Sequence, residues 1–220
     1  MSELKPQAPK LTWLVWGGLV MVVATLGLVY ALGKMRSNAS SGKPLPVYGS
    51  IADFTLTNQD GYVTGLADMR GHVWVVDIIF TQCAGPCPRM TREMKDIQQS
   101  LPNGSAAKLV TLTTDPGNDT PAVLKRYAER FGADPARWSF LTGTKAEIAK
   151  LAIDSLKLTA IEKKPEERET PEDLFIHSTI FVIVDKQEQL RGVFETTGEG
   201  IEPQVVKAQI LQAVRQLEKE

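Results

Sequence analysis

The chain has 220 residues, enough for one or two domains with a real core. Its 25 Lys and Arg nearly balance 26 Asp and Glu. No basic excess argues for a nucleic-acid partner, and no acidic excess argues for a solvating tail. Only two cysteines, Cys83 and Cys87, occur, so they form no disulfide framework, and a core of this size needs no staple.

After a ten-residue tail, residues 11–32 read LTWLVWGGLVMVVATLGLVYAL, 22 positions without a charge. About 20 apolar residues in a helix span a hydrocarbon layer. Trp13, Trp16 and Tyr30 lie near the ends, where amphipathic rings favour the interface. A cleaved leader would carry a shorter apolar run and a small-residue cleavage site, and YALGKMRS supplies a poor one. The run is therefore expected to be an uncleaved membrane anchor. Lys and Arg on its two sides do not orient it. Residues 33–46 are small, polar and Pro-containing and read as a tether, with a folded domain over 47–220.

Two short alternating runs flank Asp60-Gly61, a hairpin signal. HVWVVDIIF, residues 72–80, is nearly all apolar and β-branched, as expected of a strand covered on both faces. The segment FTQCAGPCPRM follows at once. Pro88 suits the first turn of a helix, whose inner face is set by Met90, Met94, Ile97 and Leu101. KLVTLTTD predicts a second buried strand. TPAVLKRYAERFG predicts a helix capped by Thr120, opened by Pro121 and stopped by Gly132. RWSFLTG predicts a strand and TKAEIAKLAIDSL a helix capped by Thr144. STIFVIVD and QLRGVFET predict paired strands, and EPQVVKAQILQAVRQLEKE a closing helix. This order implies an α/β fold with a central mixed sheet flanked by helices. Residues 161–177 are charged, hold two prolines and form the one long loop of the domain.

In such a fold, sites gather at the carboxyl ends of strands, where Cys83 and Cys87 fall. If residues 83–87 form a turn entering a helix, the two Cα atoms can approach within the roughly 4.4–6.8 Å that a disulfide accepts. Two thiolates at that spacing can also hold one metal ion. A helix entrance favours thiolate, and Arg89 and Arg92 would add to the effect if they point that way. Of the two histidines, His72 precedes the strand and is expected at its far end, as a surface or loop residue. His177 ends the long loop and is the candidate third ligand. Two soft thiolates and one imidazole suit Cu(I), whereas zinc would want a fourth ligand or water. Asp115 and Asp119 sit at another strand's end and read equally as a capping turn or as groups surrounding the sulfur site.

Three separated motifs, FTQCAGPCP, TTDPGNDTP and FIHSTIFVIVD, occur in that order behind one apolar N-terminal segment. In this the chain resembles the SCO/SenC family of membrane-anchored copper proteins. The resemblance implies a thioredoxin-like fold preceded by a hairpin. It implies copper held by Cys83, Cys87 and His177, with Cu(II) as the alternative to Cu(I). It implies delivery of copper to, or reduction of thiols at, the binuclear copper site of cytochrome c oxidase, with that oxidase's copper-bearing subunit or another copper carrier as partner. It also implies a domain facing the periplasm, or the intermembrane space in a mitochondrion. The chain departs from the family pattern in the insert Ala84-Gly85-Pro86, where proline and an acidic residue are common. It departs again at Asn118, where arginine is common. Three readings stay open: a copper chaperone, a thiol-disulfide reductase using Cys83 and Cys87 catalytically, and a redox or copper sensor.

Overall fold

The computed structural model describes residues 10–39, 44–158 and 179–220. It divides into two compact units, Met1–Pro44 and Leu45–Glu220. In the first, helix α1 covers Lys10–Ala39 and contains the whole uncharged run. Side chains at Trp13 and at residues 15–29 are exposed. Among the described residues no helix is long and apolar enough to cross a membrane.

The second unit is built on an eight-stranded mixed sheet. Its strands are β1 (Gly49–Ser50), β2 (Thr55–Asn58), β3 (Val63–Gly65), β4 (Trp74–Ile79), β5 (Lys108–Thr113), β6 (Trp138–Thr142), β7 (Ile180–Val184) and β8 (Gln189–Glu195). Their spatial order is β1-β8-β7-β4-β5-β6-β2-β3. The central trio β4, β5 and β6 is parallel, and every other pairing is antiparallel. Parallel neighbours need a crossover helix. Here these are α3 (Cys87–Ser100) and α4 (Pro121–Phe131). The mixed sheet flanked by helices is the architecture the element order implies.

Alternation along β4 divides the core. Val75 and Ile79 join one buried cluster with Met90, Met94 and Ile97 of α3 and Leu124 of α4. The same cluster takes Ile210 and Val214 of the closing helix α6 (Pro203–Leu217). Trp74, Val76 and Ile78 join the opposite cluster, with Leu66 and Met69 of the short helix α2 (Leu66–Met69). Each such aliphatic side chain contributes about 1.5–3 kcal/mol on full burial. Strand β4 is therefore the floor of both halves, and all six of its residues are buried.

Local signals act as read. Asn58 Oδ1 accepts from the Asp60 and Tyr62 amides, and Gly61 takes a positive φ of 83°, closing the β2–β3 hairpin. The Thr120 hydroxyl accepts from the Val123 amide, and Gly132 ends α4 in the left-handed region at φ 67°. One helix differs from its expected form. After α5 (Lys145–Ala149), residues Lys150–Ser155 widen into a π-helix. The wider turn lets Leu151, Ala152, Leu156 and Leu158 all bury against the second cluster, so tertiary packing overrides the regular helical period. The long charged loop lies outside the described residues.

Candidate functional site

Strands β4 and β5 run in parallel register, so Ile79 and Thr113 end side by side. The Thr114 amide donates to the Ile79 carbonyl at 2.8 Å and ties the two exits together. Beyond them lie two adjacent loops. One, residues 80–86, carries Cys83; the other, residues 114–120, carries Asp115 and Asp119.

Cys87 opens α3, following Pro86 in helical geometry, with Pro88 in the first turn as expected. The Cys87 carbonyl accepts from Thr91 Oγ1 at 2.9 Å, and Thr91 Oγ1 also meets the Tyr127 hydroxyl at 2.9 Å. Helix and hydroxyl pair hold Cys87 firmly. Cys83 sits in the loop, with its amide donating to the Phe80 carbonyl at 3.3 Å. Both thiols are buried, neither is in a disulfide, and they are hydrogen-bonded to each other.

That arrangement corrects one expectation. The helix entrance was expected to favour thiolate. Instead the Cys87 thiol is pushed well above its ordinary value. The hydrogen bond with the Cys83 thiol is the largest cause, followed by burial and the charge on Cys83. Without a metal or a partner, the helix dipole is outweighed by desolvation and by the cost of a second negative sulfur. Arg89 does not reverse this. Its Nη2 donates to the Thr196 carbonyl at 3.2 Å, and its Nε lies 3.4 Å from Glu93.

The two aspartates separate cleanly. Asp115 serves its own turn: its Oδ2 accepts from Asn118 Nδ2 at 2.7 Å, and its carbonyl from the Asn118 and Asp119 amides. Asp119 reaches out of the turn. Its carboxylate accepts from the Thr81 amide at 3.1 Å, from the Thr81 hydroxyl, and from the Thr113 hydroxyl at 2.5 Å. Burial pushes its pKa up, while the Thr113 and Thr81 bonds oppose that shift. Thr120, not Asp119, caps α4.

The structure adds groups that periodicity does not single out. Asp77 lies fully buried in mid-β4, on the side of Val75 and Ile79. Burial raises its carboxyl to about 7, against the lowering effect of the Thr111 hydrogen bond. Thr111 Oγ1 donates to Asp77 Oδ1 at 2.6 Å and accepts from Trp138 Nε1 at 2.9 Å. Asp77 Oδ2 has no hydrogen-bond partner. The one usable sequence signal was a lone charge inside an apolar strand. Thr81 had none.

His72 stands before β4, its Nδ1 3.0 Å from the Ala106 carbonyl, at the opposite end from the cysteines. His177 lies outside the described residues. Among the described residues no three His, Cys, Asp or Glu side chains gather as a metal cluster. The donor set in hand is therefore Cys83 and Cys87. Two soft sulfurs held together fit a soft ion that accepts few ligands.

Comparison with known proteins agrees with this frame. Residues 46–215 match the family model described as SCO1/SenC. The SCO1 protein homolog of Bacillus subtilis is 38% identical over 141 residues, which is 63% of this chain and 70% of the relative. The solved structure of BsSco is described as showing a disulfide switch in a member of the Sco family of cytochrome c oxidase assembly proteins. It is 31% identical, with a TM-score of 0.66, covering 80% of this chain and 98% of that one. ScoI of Bradyrhizobium japonicum, solved with copper bound, shares the fold at 23% identity and a TM-score of 0.60, covering 75% of this chain and 99% of that one.

Proposed function

The chain belongs to the SCO1/SenC family, and from that premise we propose that it is a membrane-anchored copper chaperone with a Cys2His site. Copper is its cargo, held by Cys83 and Cys87 and by His177 as third donor. Cu(I) is the preferred state, because two thiolates and one imidazole suit a soft, low-coordinate ion. The observation that carries the proposal is the pair of reduced, mutually hydrogen-bonded thiols at the carboxyl end of the central strands. A metal that binds both must displace their protons, which offsets the cost of burying two negative sulfurs.

The receiving partner on this reading is the copper-bearing subunit of cytochrome c oxidase, or another carrier that exchanges copper with it. The uncharged 22-residue run supports a single-pass anchor in the cytoplasmic membrane with the folded unit in the periplasm. In a mitochondrion the equivalent place is the intermembrane space. A second reading, thiol-disulfide exchange on a partner's cysteines, is favoured by the closeness of the thiols and by the disulfide switch described for BsSco.

His177→Ala separates the two. Copper retention against a competing chelator is expected to fall by more than about tenfold, or 1.4 kcal/mol. The reduction potential of the Cys83–Cys87 couple is expected to move far less than the affinity does. Equal copper retention in wild type and variant would remove His177 from the site and leave the reductase as the better reading.

A further inference from the structure

Cys83 and Cys87 are held in place by different means. Cys87 belongs to α3, so its backbone is fixed by the helix and by the Thr91 and Tyr127 hydroxyls. Cys83 lies in a loop whose neighbours Gln82, Ala84 and Gly85 are exposed. A loop of that kind loses its geometry easily unless something grips it. Two residues before Cys83, Thr81 is gripped at both its amide and its hydroxyl by the Asp119 carboxylate. Asp119 is itself held by the Thr113 hydroxyl at the end of β5 and is fully buried. The grip therefore refers the Cys83 loop to the neighbouring strand and not to its own helix.

We propose that Asp119 is a positioning residue that, through Thr81, sets where Cys83 stands relative to Cys87 and so sets how readily the pair closes to a disulfide. The inference rests on Cys83 and Cys87 being the working pair of the proposed function. It assigns Asp119 no contact with the metal or with a sulfur. Its effect is preorganisation: a clamped loop keeps the two thiols at high effective concentration, and a released loop dilutes one against the other. Asp115 shares the motif but bonds within its own turn, so the role falls on one aspartate of the two.

The test is the exchange equilibrium of the full chain with glutathione. The two thiols lose two electrons and two protons to become the disulfide, while oxidised glutathione becomes two glutathione thiols. Thr81→Val removes one clamp bond at nearly constant volume, Asp119→Asn weakens the acceptor, and Thr81→Ser keeps the hydroxyl. The equilibrium constant for closure is expected to fall about tenfold in Thr81→Val and in Asp119→Asn, equivalent to about 30 mV for a two-electron couple. Thr81→Ser should stay within about twofold of wild type, and the double variant should fall no further than the more affected of the two singles, because both act through the Thr81–Asp119 clamp. A constant unchanged in Thr81→Val, or a Thr81→Val chain that no longer folds in its reduced form, overturns the proposal. Copper enters nowhere in this equilibrium. A wild type that retains no copper would sink the chaperone reading and leave this result standing.

Discussion

Asp77, in mid-β4, and Asp119, in the loop after β5, are both fully buried, yet they are treated oppositely. Asp119 has three donors on its two oxygens and joins two loops. Asp77 has one donor, from Thr111, and an oxygen with no partner. Burial raises both, but only Asp77 is carried up to about 7. The supply of donors, and not burial alone, sets the cost of a carboxylate in this core.

The largest test of that contrast is Asp119→Ala. It leaves the Thr113 hydroxyl unsatisfied in a fully buried site and the Thr81 amide and hydroxyl in a partly buried one. At about 1–3 kcal/mol for each unsatisfied group, with some relaxation, the reduced protein should lose roughly 4 kcal/mol in urea unfolding. A loss below about 1 kcal/mol would mean that the clamp carries little stability.

Asp77→Asn should act the other way, and only at higher pH. A carboxyl raised on folding contributes stability that is present below the unfolded value and is lost as pH climbs through about 7. Wild type should therefore lose about 2 kcal/mol relative to Asp77→Asn between pH 5 and pH 7, at up to about 1.4 kcal/mol per pH unit. Urea midpoints of both proteins across that range measure it. Parallel curves would place the ionisation of Asp77 elsewhere.

The smallest effect belongs to a carboxylate that has water as an alternative partner. Asp60 meets Lys125 at 2.9 Å on the surface, with the lysine side chain more than half exposed. Asp60→Asn should leave the urea midpoint within experimental error, since exposed pairs exchange one set of contacts for hydration. A clear loss there would mean that the hairpin turn, and not the ion pair, depends on the aspartate.

What could be read from residue order was whatever depends on neighbours in the chain. Near-continuous apolar, β-branched runs marked β4 and β5, Thr120 and Gly132 bracketed α4, and Asp60-Gly61 marked the hairpin turn, because propensity, capping and turn geometry are local. The spacing of Cys83 and Cys87 at a strand-to-helix turn was legible for the same reason. Folding decided what depends on residues distant in sequence. Both thiols are buried because strands and helices close over them, and the Cys87 thiol is raised by its neighbour Cys83 and by that burial, which no helix entrance foretells. Asp119 meets Thr81 across 38 positions, and Thr111 meets Asp77 across 34. Such partners become neighbours only when β4 and β5 lie in register, since a one-residue slip would turn each side chain to the other face.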